Sequence, residues 1–398
     1  VISTESSPRR GALLAVLALL TALAPFSIDV YTPSLPRIQA DLGGADWALQ
    51  ASITACLLGI GVGQLLFGPL SDRIGRRPVI LIGVIGWTLA SVLSAAVPGA
   101  TALIAARLAA GLFGSAGIVV ARSVVRDVSD SPRQIGSRIG ILAMVSAAAP
   151  VIAPAIGSGI SAMWGWRADF VALALLGAIA VIAVILLVPE SLPPDSRRAH
   201  VAIASGLALA FRDRELRRLA FAFAAQSLGF YAYIATASFV VERQLGYGPG
   251  VFALVFGTNA VAMLGANLVF RRLVNTRHPS VLFRVGVTTA LAAGVLLAMT
   301  AALSVPDAVL WIASTLFAAS IGFVLPSAHS WGQLTAPPSG SASALTGSAQ
   351  FLGGVLGSPI TGLLGPTALV LGVLITASSA GALVLARHAS HAIQGRAA

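Results

Sequence analysis

The stretch GQLLFGPLSDRIGRRPVIL, residues 63–81, joins the end of one long apolar run to the start of the next through a short polar turn. A chain that crosses a bilayer and returns needs this kind of joint, because each crossing takes roughly 20 apolar residues and each reversal a polar turn outside the hydrocarbon. Within the turn, Gly68 lets the end of one helix approach a neighbour closely, and Asp72 is placed to cap or pair at a helix terminus. Gly75 allows a sharp change of direction, and Arg73, Arg76 and Arg77 hold the turn on the inner side.

The same alternation runs along the whole chain. Of 398 residues, 57% are hydrophobic and 10% are charged, and the mean hydropathy is +0.91. These values exclude an ordinary soluble domain, and runs of roughly 20 residues select helices over barrel strands of about 10. Twelve spans are expected, over 11–36, 48–69, 78–97, 100–123, 136–161, 168–188, 217–241, 249–270, 279–301, 308–330, 340–364 and 367–387. The first is too long for a signal-peptide core and lacks a small-residue cleavage site, so it is expected to be retained.

An even number of spans puts both termini on one side. Arg37, Arg167 and Arg243 fall outside and Arg107 lies within a span, while the other 21 of the 25 basic residues, all arginine, fall on the side of the termini. By the positive-inside rule that side is the cytoplasm, so a multi-pass protein of the cytoplasmic membrane is expected. The formal charge of +11 marks topology in this reading, and no nucleic-acid partner is expected. Cys56, the single cysteine, cannot form an intrachain disulfide.

PESLPPDSRRAH (189–200) and the amphipathic segment after it divide the chain into an N-terminal half, 1–188, a cytoplasmic linker, 189–216, and a C-terminal half, 217–398. The halves echo each other. RRPVILIGV (76–84) aligns with RHPSVLFRV (277–285), and AAAPVIAPAIGSG (147–159) with GGVLGSPITGLLG (353–365). Repeated halves with a site at the midplane are a transporter arrangement. An enzyme is not expected, since there is no His-Glu-x-x-His, no paired intramembrane carboxylates and no nucleophile spaced with a base; neither a metal nor a cofactor is expected.

Span four, LIAARLAAGLFGSAGIVVARSVVRD (103–127), embeds Arg107, which must find a partner or an aqueous cavity. Gly111, Gly114, Ser115 and Gly117 permit close helix packing there. Span five carries Pro150, Pro154, Gly157 and Gly159 and is expected to be a bendable element beside span four.

The G-x-L-x-D-R-x-G-R-R run at 68–77 resembles the signature loop of the major facilitator superfamily. Its counterpart FRRLVNTRHPSV (270–281) keeps the basic residues but lacks the Asp and the Gly, so a gate built on this loop is expected to be asymmetric, carried by Gly68, Asp72, Arg73, Gly75 and Arg76. R-x-x-x-G in span four and the proline-glycine pattern of span five, including Pro150, Pro154 and Gly157, resemble motifs of drug:proton antiporters. IDVYTPSLPRIQADL (28–42), ARSVVRD (121–127), APVIAPAIGSGISAMWGWRADF (149–170) and FGTNAVAMLGANLVFRRL (256–273) narrow the resemblance to the bicyclomycin and chloramphenicol resistance subfamily. That resemblance implies an all-α membrane fold of twelve helices in two pseudo-symmetric six-helix halves. It also implies a monomer in the lipid bilayer that exports small drugs in exchange for protons.

Asp29 is the acid placed at lipid depth, since the other acidic residues fall at or beyond the ends of spans. Counted at 1.5 Å per residue, Asp29 and Arg107 both lie about 11 Å below the outer surface. If spans one and four line one cavity, the two are expected to interact, with Asp29 as proton carrier and Arg107 tuning it. Two other readings stand beside this one: a purely structural ion pair, and an Asp29 that caps backbone broken by Pro33 and Pro36. Tyr31, Gln226, Tyr231, Tyr233, Asn259, Asn267 and Met263 are expected to suit a cavity for varied compounds. Trp164 and Trp166 are expected to anchor at the interface. Export or uptake of a metabolite on the same fold remains an alternative, because direction is not written in motifs.

Overall fold

The computed structural model describes residues 7–43, 46–196, 203–303, 306–335 and 339–387. Arg197 and Arg198 of the expected linker, the first residues of the chain and the C-terminal tail with His388 and His391 lie outside the described residues. The helices in chain order are α1 (Ser7–Asp29), α2 (Leu35–Leu42), α3 (Asp46–Ile74), α4 (Arg76–Ala95), α5 (Ala100–Asp127), α6 (Pro132–Trp164), α7 (Arg167–Leu187) and α8 (Ile203–Arg212). They continue with α9 (Arg214–Ser238), α10 (Pro249–Leu273), α11 (Pro279–Leu303), α12 (Asp307–Thr335), α13 (Ser339–Leu364) and α14 (Ala368–Arg387). A π-helical turn, Phe239–Gln244, continues α9.

Ten helices among the described residues are long and apolar enough to cross a membrane. With α6 (33 residues) and α13 (26 residues), both long enough to span, they make the twelve-helix fold. The lipid-facing side is plain on α7, where Leu175, Ile179, Ile182 and Leu186 form an exposed stripe at helical spacing. Two compact units emerge: Val1–Ser131, Ile141–Ala210 and Ala336–Ser348 form one, and Pro132–Gly140, Phe211–Thr335 and Ala349–Ala398 the other. The N-terminal turns of α13 thus pack with the first unit, and the N-terminal turns of α6 with the second.

The first span is not one unbroken helix to residue 36. Pro33 has no N–H to give the carbonyl of Asp29, so the α-helix stops at Asp29. Thr32 Oγ1 donates to the Ile28 carbonyl (2.9 Å), and a 3-10 turn, Thr32–Ser34, leads into α2. Asp29 is therefore the last residue of its helix.

Glycines set the helix separations. Between α3 and α5, a side chain at Gly59 would meet the Leu108 carbonyl, one at Gly63 Leu112 and Ser115, and one at Gly111 the Cys56 carbonyl. Gly117 of α5 likewise packs closely against the Leu20 carbonyl of α1. In the second unit Gly322 of α12 meets the Met263 carbonyl of α10, and Gly372 of α14 meets Ala298 of α11. In lipid, where burial of apolar surface gives no net drive to helix association, such contacts supply the van der Waals attraction that holds a bundle. Introducing Gly111→Val forces α3 away from α5 and should destabilise the fold by about 1–3 kcal/mol, the usual cost of overpacking. Thermal unfolding of the purified protein in detergent, with surface-facing Leu175→Val as control, checks this.

Candidate functional site

Two charged clusters organise the first unit. The cytoplasmic one grows from the turn at 68–77. Gly75, with φ of 109°, takes a conformation that favours glycine and reverses the chain between α3 and α4. The turn folds Arg76 inward until it is 1% exposed. Its Nη1 donates to Asp72 Oδ1 (2.7 Å) and Ser71 Oγ (2.7 Å), and its Nε to Asp127 Oδ2 (2.9 Å) at the end of α5. Ser191 Oγ donates to the same Asp127 oxygen at 3.1 Å. Glu190 accepts from the backbone N–H of Arg76 (2.9 Å), so a carboxylate sits at the positive end of α4. Arg73 remains exposed.

Asp72 also reaches the start of α13. Its Oδ1 accepts from the N–H of Gly340 (3.0 Å), and its Oδ2 from the N–H (2.9 Å) and hydroxyl (3.1 Å) of Ser341. The first N–H groups of a helix have no partner within it and carry its positive dipole end, so a carboxylate there satisfies both bonding and charge. Gly68 and Gly340 meet backbone to backbone, and a side chain on either would strike the other's carbonyl. Further along the same face, Ser343 Oγ donates to the Val119 carbonyl (2.8 Å) and Ser348 Oγ to the Gly61 carbonyl (2.7 Å).

The second cluster surrounds Arg107, which is fully buried. Its Nη2 donates to Ser27 O (3.1 Å), Ser27 Oγ (2.8 Å) and Cys56 Sγ (3.5 Å). The guanidinium lies over the rings of Tyr31 (5.3 Å) and Phe170 (5.5 Å), whose faces attract a cation. Nε and Nη1 have no partner among the described residues. The expected contact between Asp29 and Arg107 is absent from the salt bridges of the described residues. Depth was matched but helix phase was not: Ser27 faces Arg107, and Asp29, two residues on and so about 200° around the helix, does not. Asp29 is partly buried, and no hydrogen bond or ion pair reaches it among the described residues. Against the next residue, Val30, packs Gly157 of α6, where a side chain would strike the Val30 carbonyl. The α6 helix runs on through Pro150 and Pro154; the side chain of Pro150 lies outside those described.

The other candidates are scattered. Tyr31 is fully buried, shares a hydrogen bond with Ser52 (3.0 Å) and makes a tilted ring contact with Phe170 (5.2 Å), so it packs inside the first unit. Tyr233 accepts from Asn259 Nδ2 (2.6 Å) in the core of the second unit. Gln226 is 1% exposed with neither amide atom partnered among the described residues. Tyr231 lies beside Phe351 and Gly354 of α13, Met263 packs against the core of its unit, and Asn267 is buried. Trp166 is not an interfacial anchor: it is buried and bonds Asp41 Oδ2 at 3.0 Å, while Trp164 is exposed. A hydrogen bond from Arg167, with this one from Trp166, holds the Asp41 carboxyl below the usual carboxylate range. Sequence reasoning missed Ser27, Ser52, Cys56 and Phe170 around Arg107. It also placed Asp169 at a span end without foreseeing its complete burial, where one oxygen accepts from Ser34 Oγ at 2.9 Å.

The Major Facilitator Superfamily profile matches residues 17–358. The chain belongs to the major facilitator superfamily. It is 33% identical over 384 residues to an uncharacterized MFS-type transporter of Bacillus subtilis, covering 94% of both chains. It is 28% identical over 352 residues to a bicyclomycin resistance protein homolog of Haemophilus influenzae, covering 87% of this chain and 88% of that one. Among solved structures it is similar to the proton:xylose symporter XylE, with a TM-score of 0.81 over 96% of this chain and 95% of that one at 14% identity, a likeness of fold. The protein is therefore a multi-pass transporter of this superfamily, in its drug-resistance branch, and not an enzyme.

Replacing Asp72 with Ala leaves the buried Arg76 with Asp127 as its carboxylate partner, removes the bond to Nη1 and uncaps α13. Losing a charged hydrogen bond and a helix cap together costs about 2–4 kcal/mol. A fall in the thermal midpoint larger than that of exposed Arg73→Ala is the expected result.

Proposed function

We propose that the protein exports small drug-like molecules from the cytoplasm in exchange for protons, with Asp29 as the proton carrier. The observation that carries this reading is the state of Asp29: an acid at the end of the first membrane helix, partly buried and unpaired among the described residues. A carboxylate locked to an arginine keeps its charge, whereas one in a nonpolar setting without a fixed partner is free to gain and lose a proton as its access to water changes. The negative end of the α1 dipole also lies there and offers the charge no support. The names of relatives, among them the bicyclomycin resistance protein homolog, support drug-like compounds as the substrate class.

In this reading Arg107 acts on Asp29 through α1. By holding both Ser27 oxygens it fixes the last turn of that helix, and Gly157 ties the same turn to α6, so a shift of α6 is felt at the carboxyl. Asp72 and Arg76, with Gly68 and Gly75, act as the cytoplasmic gate by holding or releasing the first turns of α13. Residues 1–188 and 217–398 act as the two moving halves of a monomer. The protein sits in the cytoplasmic membrane with both termini inside, a reading that the arginine distribution supports.

The test uses proteoliposomes and a compound panel with an imposed proton gradient. Asp29→Asn should reduce gradient-driven movement to the level of empty liposomes while leaving gradient-independent exchange of the same compound. Wild-type gradient-driven rates in Asp29→Asn would refute the assignment.

A further inference from the structure

The first unit holds a second buried acid that the transport reading does not use. Asp169, in the first turn of α7, is fully buried, as are Phe170 and Leu173 beside it. Its Oδ2 accepts from Ser34 Oγ (2.9 Å), and its Oδ1 has no partner among the described residues. None of the ion pairs among those residues includes it.

The charges on the elements packed around Asp169 are engaged elsewhere. Arg37 of α2 donates to the Ser161 carbonyl (3.1 Å), and Arg167, two residues back along α7, pairs with Asp41. Arg107 of α5 lies over the Phe170 ring but gives its bonds to Ser27 and Cys56. The end of α1 brings a second acid, Asp29, and α4 carries charge only at its far end, at Arg76 and Arg77. The stretch of α6 from 150 to 164 carries none.

Helix capping does not account for the acid either. The N–H groups of Ala168 and Asp169 bond the carbonyls of Gly165 and Trp166 (3.1 Å each), so the loop before α7 already satisfies this helix end. The helix dipole favours negative charge there, but by less than the cost of burying an ion without a cation. A neutral acid at the same place leaves only one hydroxyl unmet, which costs far less than an unmet charge. Close packing of this turn and a bound proton therefore go together.

What the acid holds is the chain that leaves Asp29. Ser34 ends the 3-10 turn Thr32–Ser34, and α2 follows directly. Two further ties run from α2 to the α6–α7 corner, Arg37 to Ser161 and Asp41 to Trp166 and Arg167, and of all these bonds the one from Ser34 is the buried one.

We propose that Asp169 is a second proton-binding site of the first unit, which fastens the turn after Asp29 to α7 while it carries its proton and releases that turn when it ionises. The proton passes to water at the end of the unit opposite the 68–77 turn, and the carboxylate left behind is hydrated as the turn parts from α7. Rising pH thus loosens the segment and falling pH closes it. The site does not depend on proton exchange at Asp29.

The experiment uses the full chain in lipid nanodiscs and follows hydrogen–deuterium exchange of the amides from Ser34 to Leu42, corrected for the intrinsic effect of pH. Asp41, held below the usual carboxylate range by Arg167 and Trp166, stays ionised from mildly acid to mildly alkaline buffer and adds no step. Across that range the wild-type segment should exchange about three- to tenfold faster at the alkaline end, the worth of one hydrogen bond. Asp169→Asn, a fixed stand-in for the neutral acid, should stay slow at both ends, and Ser34→Ala should be fast at both. Asp29→Asn should keep the wild-type response, which separates this site from the proton carrier of the transport reading. A wild-type rate that ignores pH overturns the proposal, as does a response kept in Asp169→Asn or lost in Asp29→Asn. If Asp169→Asn misfolds, Ser34→Ala decides, because an undiminished pH response there also overturns it.

Discussion

A charge carried into a bundle that sits in hydrocarbon must find partners inside the protein, and this constraint arranges the first unit. Arg76 meets it fully, with Asp72, Ser71 and Asp127 all within hydrogen-bond distance. Arg107 meets it by another route, with Ser27, a thiol and two ring faces in place of a carboxylate. A fully paired cation makes a rigid joint. A cation held by neutral groups leaves the nearby acid, Asp29, chemically uncommitted. The two arrangements suit a structural gate and a proton-exchanging site respectively.

Close backbone approach links these clusters to the helices around them. Gly68 against Gly340 brings the start of α13 within reach of Asp72, and Gly157 against Val30 brings α6 to the last turn of α1. At both places the polar chemistry depends on a missing side chain. A methyl group at either glycine would separate the helices before it altered any charge, so the motifs combine glycines and charges for one geometric reason.

Much of the fold was legible because its signals are local. Span length, arginine placement and the turn at 68–77 each depend on neighbouring residues, and the turn's Gly75 has the positive φ that glycine favours. The site was legible in its members but not in its pairings. Depth along a helix follows from counting, whereas facing depends on phase, and the break at Pro33 left Asp29 at the end of α1 without an ion pair to Arg107 among the described residues. Glu190, at the start of α4, comes from a residue more than a hundred positions away in the chain and leaves no local trace. The π-turn after α9, FVVERQ, has a composition that does not distinguish it from a continuing α-helix.

The central claim is that the Asp29 carboxyl exchanges its proton as substrate binds. Purified transporter in weakly buffered detergent solution, followed with a pH indicator during addition of a transported compound, tests this without a gradient or a membrane. Wild type should release protons on binding, and Asp29→Asn should bind the compound without release. Equal proton release from both would contradict the account and move the coupling site elsewhere in the chain.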